Sequence, residues 1–278
     1  VVFERFPIGL ERLVRHVWIV RWDIPNGDVR SQRVLTYPTC NIVVTPDGAA
    51  LYGPDPRVNI RELSGCSWAV GVLLRPAAAR VLTDTPARSL VGRHEPAPST
   101  PQEAISLAMS TGSGRGKTVG AAKAVGATDL ATAAGKVGAV VSEWLAPFAD
   151  QLGPVGMTVN RIGRIAEERE DVVRVGHLAE LAGVPIRTLT RLVHDYVGVA
   201  PKWLIECRRL QQSATTLYGD PDRDLSTLAH SLGYADQAHF TRRYHEVLGE
   251  TPGQTRRAGR QAKAPGEVVS ADPPWASR

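Results

Sequence analysis

Three early runs of the chain combine β-branched and aromatic residues: His16–Asp23 (HVWIVRWD), Asn41–Thr45 (NIVVT) and Ser67–Leu74 (SWAVGVLL). Such runs predict strands. Turn signals lie between them at Pro25-Asn26-Gly27, Pro46-Asp47-Gly48 and Gly53-Pro54-Asp55. Pro76 is placed to open a short helical run from Ala77 to Thr83. The pattern then weakens. Residues 95–101 (EPAPSTP) read as a linker, and 102–128 are rich in Gly, Ala, Ser and Thr with little period, so 111–128 are expected to be poorly fixed. A helix is expected over Asp129–Asp150, where Leu130, Val137, Val140, Val141, Trp144, Leu145 and Phe148 can share one broad face. Gly135 and Gly138 weaken it by about 1 kcal/mol each relative to Ala. Gly153-Pro154 marks a second break.

The strongest pattern is a duplication between residues 175 and 252. Ala179, Gly183, Leu189, Arg191, Val193, Gly198 and Pro201 recur in order as Ala229, Gly233, Phe240, Arg242, Tyr244, Gly249 and Pro252. Spacings within each half of the pattern are identical, and the second copy is one residue longer between the halves. A shared order of this kind marks two copies of one supersecondary unit.

Each copy reads as helix–turn–helix. Val175, Leu178, Ala179 and Ala182, and again Leu225, Leu228, Ala229 and Leu232, follow the i, i+3, i+4, i+7 spacing of a buried helical stripe. Gly183 and Gly233 stand where such a helix ends in a left-handed residue, and Asp236 is positioned to cap the next helix.

The helices that follow have two faces. In the first, Leu189, Leu192, Val193 and Tyr196 form an apolar stripe, and Arg187, Thr190, Arg191 and His194 lie on the other side. In the second, Phe240, Tyr244, Val247 and Leu248 face inward, while Gln237, Thr241, Arg242 and His245 form an outer strip beside His239 and Arg243. These side chains suit a major groove: Arg pairs bidentately with guanine, Gln with adenine, and Thr reaches base edges or a thymine methyl. A single polar helix face would more often be plain solvated surface. Two of them in duplicated helix–turn–helix units favour DNA reading.

Bulk properties add little. The net charge is +5 and hydrophobic residues are 43%, which suits globular domains with real cores and permits nucleic-acid binding. Residues 171–258 hold 11 Lys/Arg against 10 Asp/Glu, so arrangement rather than charge carries the inference. No apolar run is long enough for a membrane span, and residues 1–10 lack the pattern of a secretory signal, so a cytoplasmic protein is expected. Cys40, Cys66 and Cys207 lie far apart, which argues against a disulfide framework or a cysteine zinc site and for idle thiols. No cofactor, metal or catalytic residue is expected.

At this level of detail the chain resembles the AraC/XylS family over about residues 158–258. The most specific stretch is Gly233–Pro252 (GYADQAHFTRRYHEVLGETP), with Asp236, Phe240, Arg242, Gly249 and Pro252 at pattern positions; GVPIRTLTRLVHDYVGVAPKWL matches the first unit. The resemblance implies two small helical subdomains joined by a long helix, roughly Pro201–Tyr218, with two recognition helices entering successive major-groove segments on one DNA face. Two positions depart from the family. Pro185 stands where a Ser or Thr cap is usual, and Thr255 where an aromatic is common.

The YP…PDG stretch from Tyr37 to Gly48 and AVGVLLRPAAA from Ala69 to Ala79 are similar to an N-terminal domain of many AraC-type regulators, which implies a barrel-like sensor or dimerisation module. Trp18, Trp22, Tyr37, Trp68 and Arg75 are its candidate effector-binding residues, although aromatic residues of this kind more often pack cores.

The expected architecture is therefore α+β. A strand-rich domain spans 1–98, a linker and helical segment 99–157, an all-α DNA-binding domain 158–258, and a flexible tail 259–278. Promoter DNA is the principal expected partner. RNA polymerase, a small-molecule effector and a second copy of the chain are further candidates. The rival is an enzymatic N-terminal module fused to a DNA-binding domain. For it, Gly112–Thr118 (GSGRGKT) has Thr111 where a phosphate loop needs glycine, and His16, His94 and Ser64 form no recognisable hydrolase motif. A cysteine-based repair chemistry would need clustered thiolates, and Cys40 and Cys66 are isolated.

Overall fold

The computed structural model describes residues 1–34, 37–97, 99–110 and 127–263. Its strands are β1 (Val2–Phe6), β2 (Val14–Asp23), β3 (Arg30–Val34), β4 (Asn41–Thr45), β5 (Gly48–Tyr52), β6 (Asn59–Leu63), β7 (Cys66–Leu74) and β8 (His94–Pro96). The helix α1 (Ala87–Leu90) precedes β8, and α2 (Gln102–Ser110) and α3 (Ala127–Leu145) follow it. A 3₁₀ stretch, Ala146–Leu152, leads into α4 (Gly153–Glu168). Then come α5 (Val175–Leu181), α6 (Ile186–Tyr196), α7 (Pro201–Gly219), α8 (Leu225–Ser231), α9 (Gln237–Leu248) and α10 (Pro252–Lys263).

The three expected strands are present as β2, β4 and β7, and they lie together. The main sheet has the order β1-β2-β7-β4-β5-β8, all neighbours antiparallel. Pro46-Asp47 makes the two-residue turn of the β4–β5 hairpin, which sets Thr45 opposite Gly48. Strand alternation is clear in β2, where Val17 and Ile19 are fully buried and Trp18 and Val20 are half-buried. Val17, Ile19, Ile42, Val44, Val70 and Val72 share one core with Ile105 and Met109 of α2 and with Val137, Val141 and Leu145 of α3.

The barrel-like expectation is corrected: among the described residues no closed barrel forms. β3 and β6 pair only with each other, and β1 and β8 remain the two edges of the main sheet. β8 is three residues long and ends in Pro96, which has no N–H to extend a ladder.

Other expectations also shift. Glu95 and Pro96 belong to β8, where they face Leu51 and Ala50, rather than to a linker. Residues 102–110 form α2, whose apolar Ile105, Ala108 and Met109 are buried. The expected helix over 129–150 ends its α-helical part at Leu145 and continues as 3₁₀. Gly153, at φ +59°, redirects the chain and Pro154 occupies the first turn of α4, so this break is a corner between helices. The chain from 259 to 263 continues α10. Residues 111–126 lie outside the described residues, and the glycine-rich stretch 112–118 with them.

The largest apolar core runs without interruption from Leu13 through the sheet, α3, α4, α5 and α6 to Cys207 in α7. A second core begins at Leu210, three residues further along α7, and includes Leu228, Phe240, Tyr244 and Leu248. The long helix therefore has one end in each core.

Candidate nucleic-acid interface

Both duplicated units fold as helix–turn–helix: α5 and α6 in the first, α8 and α9 in the second. Their turns use Gly183 at φ +64° and Gly233 at φ +70°, left-handed conformations that glycine adopts without steric cost. Each turn glycine is flanked by an arginine. Arg161 of α4 donates to the Ala182 carbonyl beside Gly183, and the Arg209 guanidinium lies 4.7 Å over the Tyr234 ring next to Gly233. Neither arginine stands out in the sequence pattern, because each belongs to the helix before its unit.

The helix that follows each turn begins differently. Asp236 caps α9 as expected, its carboxylate accepting from the His239 N–H at 2.7 Å. Pro185 gives α6 no side-chain cap, and α6 starts directly at Ile186. Asp224 caps α8, accepting from the Thr227 N–H at 2.7 Å.

Inner and outer faces separate as the pattern requires. Leu189, Leu192 and Val193 of α6 and Phe240, Tyr244, Val247 and Leu248 of α9 are buried. Arg187, Thr190, Arg191 and His194 are exposed on α6, and Gln237, Arg242 and His245 on α9, with Thr241 half-buried beside them. Some of these side chains have local partners. The Thr190 hydroxyl donates to the Ile186 carbonyl at 2.9 Å, and Arg191 pairs with Asp195 at 3.6 Å, an exposed contact that is easily exchanged.

Two of the sequence-predicted residues sit elsewhere. Arg243 is turned inward, with Nε 2.7 Å and Nη2 2.9 Å from the two carboxylate oxygens of Glu206 in α7. It also contacts Glu246 at 2.5 Å, and these hydrogen bonds push the guanidinium pKa up. His239 is half-buried, edge-on to Tyr234 with ring centroids 5.3 Å apart. Sequence reasoning missed Ile186. It is 54% exposed at the first position of α6. Its offset from the buried stripe Leu189–Val193 was the available signal.

The second unit explains its own departure at residue 255. Thr255 is fully buried; its hydroxyl lies 2.6 Å from the Tyr244 hydroxyl and donates to the buried Glu250 carboxylate at 2.7 Å. A buried hydrogen-bonded triad of Tyr244, Thr255 and Glu250 thus fills this position.

The five candidate effector residues do not converge. Trp18 and Trp22 lie on one face of the main sheet, and Trp68, which pairs with Arg21, on the other. The Trp18 ring covers Gly71 and stacks on Phe3, and the Trp22 indole donates to the Ser64 carbonyl at 3.1 Å. Tyr37 and Arg75 come together in a cleft against α4 and α7. Of the hydrolase candidates, His16 is edge-on to Tyr37 and His94 is stacked on Tyr52. Cys40 and Cys207 are buried, and burial pushes both thiols up to about 12; Cys66 is exposed.

The two exposed faces are each carried on the second helix of a capped or proline-led helix–turn–helix unit. Residues 178–258 match the family model of a helix-turn-helix domain. This region is an AraC-type helix–turn–helix domain. Residues 7–96 match the model of a domain of unknown function. The chain is 26% identical over 95 residues to the transcriptional activator RhaS of Pectobacterium carotovorum subsp. carotovorum (strain PC1), covering 34% of each chain. It is 28% identical over 100 residues to the transcriptional regulator MtrA of Neisseria gonorrhoeae, covering 36% of this chain and 33% of that one. The crystal structure of a "probable AraC family transcriptional regulator" from Rhodopseudomonas palustris CGA009 is similar at 25% identity and a TM-score of 0.33, covering 37% of this chain and 97% of that chain. The chain thus spans about a third of the length of the curated relatives it matches. Among the described residues, no helix is long and apolar enough to cross a membrane.

Proposed function

We propose that this protein is a sequence-specific transcription regulator that reads promoter DNA with α6 and α9 and responds to a small-molecule effector. The carrying observation is the pair of exposed faces: Arg187, Thr190, Arg191 and His194 on one helix, Gln237, Thr241, Arg242 and His245 on the other. In this reading the N-terminal ends of both helices enter successive major-groove segments. Ile186 and Arg187 lead the first, Gln237 the second, with Arg191 and Arg242 available for guanine. Arg243 serves instead as a strut between α9 and α7. The protein acts in contact with promoter DNA and RNA polymerase, as a monomer or as a homodimer through residues 1–150. Genome-wide mapping of bound DNA, followed by gel shift on the recovered sites, tests the reading. A shared bipartite motif upstream of genes is expected. Binding that follows only salt and DNA length, with no motif, overturns it.

A further inference from the structure

The N-terminal sheet and the helix–turn–helix region meet across an open cleft lined by Arg15, Tyr37 and Arg75 on one side and by Arg164, Glu167 and Arg208 on the other. Leu74, Pro76, Leu204 and Cys207 give it apolar walls. Its charge is one-sided: Arg15, Arg75, Arg164 and Arg208 line it against one carboxylate, Glu167. Arg164 is exposed, and Arg208 is committed to the carbonyls of Glu170 at 3.3 Å and Val172 at 3.0 Å. That leaves Arg15 and Arg75 facing Glu167.

Arg75 is tied at one atom, its Nε donating to the Glu11 carbonyl at 3.2 Å, but the pair is short of acceptors at its guanidinium tips. Arg15 contacts Glu167 directly, yet its Nη1 is buried without a hydrogen-bond partner. Arg75 Nη1 stands 3.9 Å from Glu167, beyond hydrogen-bond distance. One carboxylate cannot satisfy two guanidiniums, each of which carries several donors in a fixed fork. The Arg15 guanidinium also lies 4.6 Å over the Tyr37 ring, so an aromatic wall adjoins the charged end. Buried His16 stands behind, its pKa held down to about 3, first by burial and then by Arg5, Arg15 and Arg75.

Glu167 lies on the stripe by which α4 grips the N-terminal domain. Asn160 accepts from the Ala77 N–H at 3.0 Å and donates to the Arg12 carbonyl at 2.7 Å. At Gly163 a Cβ would fall 2.5 Å from Pro76. Glu167 closes the stripe one turn further on. The loop held by Arg208 follows, and then the first helix–turn–helix unit.

We propose that this cleft binds a small organic dianion with an apolar body, such as a dicarboxylate or a phosphate monoester. Its charges engage Arg15 and Arg75 in exchange for Glu167, which frees the end of α4 from the N-terminal domain. The inference deepens the effector-responsive reading above and rests on it for its regulatory meaning, though binding itself can be measured without DNA.

Calorimetric titration of the full chain with phthalate, phenyl phosphate and benzoate tests it. Saturable binding of phthalate or phenyl phosphate is expected, at least tenfold tighter than benzoate; the preferred dianion identifies the carboxylate or the phosphate source. Arg15→Gln and Arg75→Gln should each weaken it about ten- to a hundredfold. Glu167→Gln should tighten it, because the internal competitor is gone, and a merely damaged fold cannot produce that gain. No saturable binding in either wild type or Glu167→Gln, equal affinity for benzoate, or insensitivity to both arginine variants overturns the proposal. Gel shift on the mapped sites without added anion separates the two readings: intact DNA binding with no anion site removes only this inference.

Discussion

Arg242 and Arg243 are adjacent in the sequence and opposite in situation. Arg242 is exposed on the outer strip of α9, while Arg243 is held by both carboxylate oxygens of Glu206. Helical spacing alone does not separate their roles, and only the partner on α7 distinguishes them. Arg242→Ala and Arg191→Ala should each weaken specific binding by about 1–3 kcal/mol and relax preference at one base position, read by gel shift against a set of single-base operator variants. Arg243→Ala should instead lower stability by about 1–3 kcal/mol, because it strands the half-buried Glu206 carboxylate; urea unfolding measures this. Equal loss of specificity from Arg242→Ala and Arg243→Ala would show that the inward arginine reads DNA as well. His16 sets a pH dependence. Its folded pKa of about 3 lies below the ordinary 6.5 because the ring is buried. Between those values the unfolded chain holds the extra proton, so stability falls as pH drops below about 6.5, by up to about 1.4 kcal/mol per pH unit. Above 6.5 the group contributes no slope. His16→Gln should flatten this limb of the urea midpoint plotted against pH, and an unchanged limb would assign it to other groups.

At the scale of elements, legibility tracks locality. β2, β4 and β7 and both helix–turn–helix units were readable because their apolar period and turn residues sit within a dozen positions. β3 (RSQRV) and β6 (NIREL) were not: they are polar, and they are strands because they pair with each other across nearly thirty residues. The failure of the sheet to close, and the buried triad at Thr255, likewise depend on partners far along the chain. The duplicated glycines show the same division. Gly183 and Gly233 were legible as turn residues, but the second role of Gly198 and Gly249 was not. Gly198 follows α6 and Gly249 follows α9, both at positive φ, and both press against the N-terminal domain. A Cβ on Gly198 would lie 2.6 Å from the Ala87 carbonyl oxygen, and one on Gly249 2.7 Å from Val58. Gly183 has only an arginine tip at 3.8 Å. Alanine at Gly183 should therefore cost only left-handed strain, about 1–2 kcal/mol. Gly198→Ala should lower Tm furthest because the obstacle is backbone, with Gly249→Ala between them because Val58 can shift. Equal Tm losses across the three variants would refute the docking role.

For the whole molecule, these two contacts tie both helix–turn–helix units to one N-terminal domain at corresponding points of the repeat. α7 joins the units from inside as well. Arg208 holds the loop before α5, and its neighbour Arg209 lies over Tyr234 in the second turn. These ties predict that α6 and α9 keep a fixed separation. A fixed separation demands a fixed operator. The two half-sites should lie about 10–10.5 base pairs apart, one helical turn, on one DNA face and without palindromy inside the site of a monomer. Hydroxyl-radical footprinting should show two protected segments one turn apart per protomer. Inserting about five base pairs between the half-sites would rotate one of them to the opposite face, and binding should then fall to the level left by deleting that half-site. If the insertion were tolerated, or only one segment were protected, the two units would be moving independently, and the ties at Gly198, Gly249 and Arg209 would not survive on DNA.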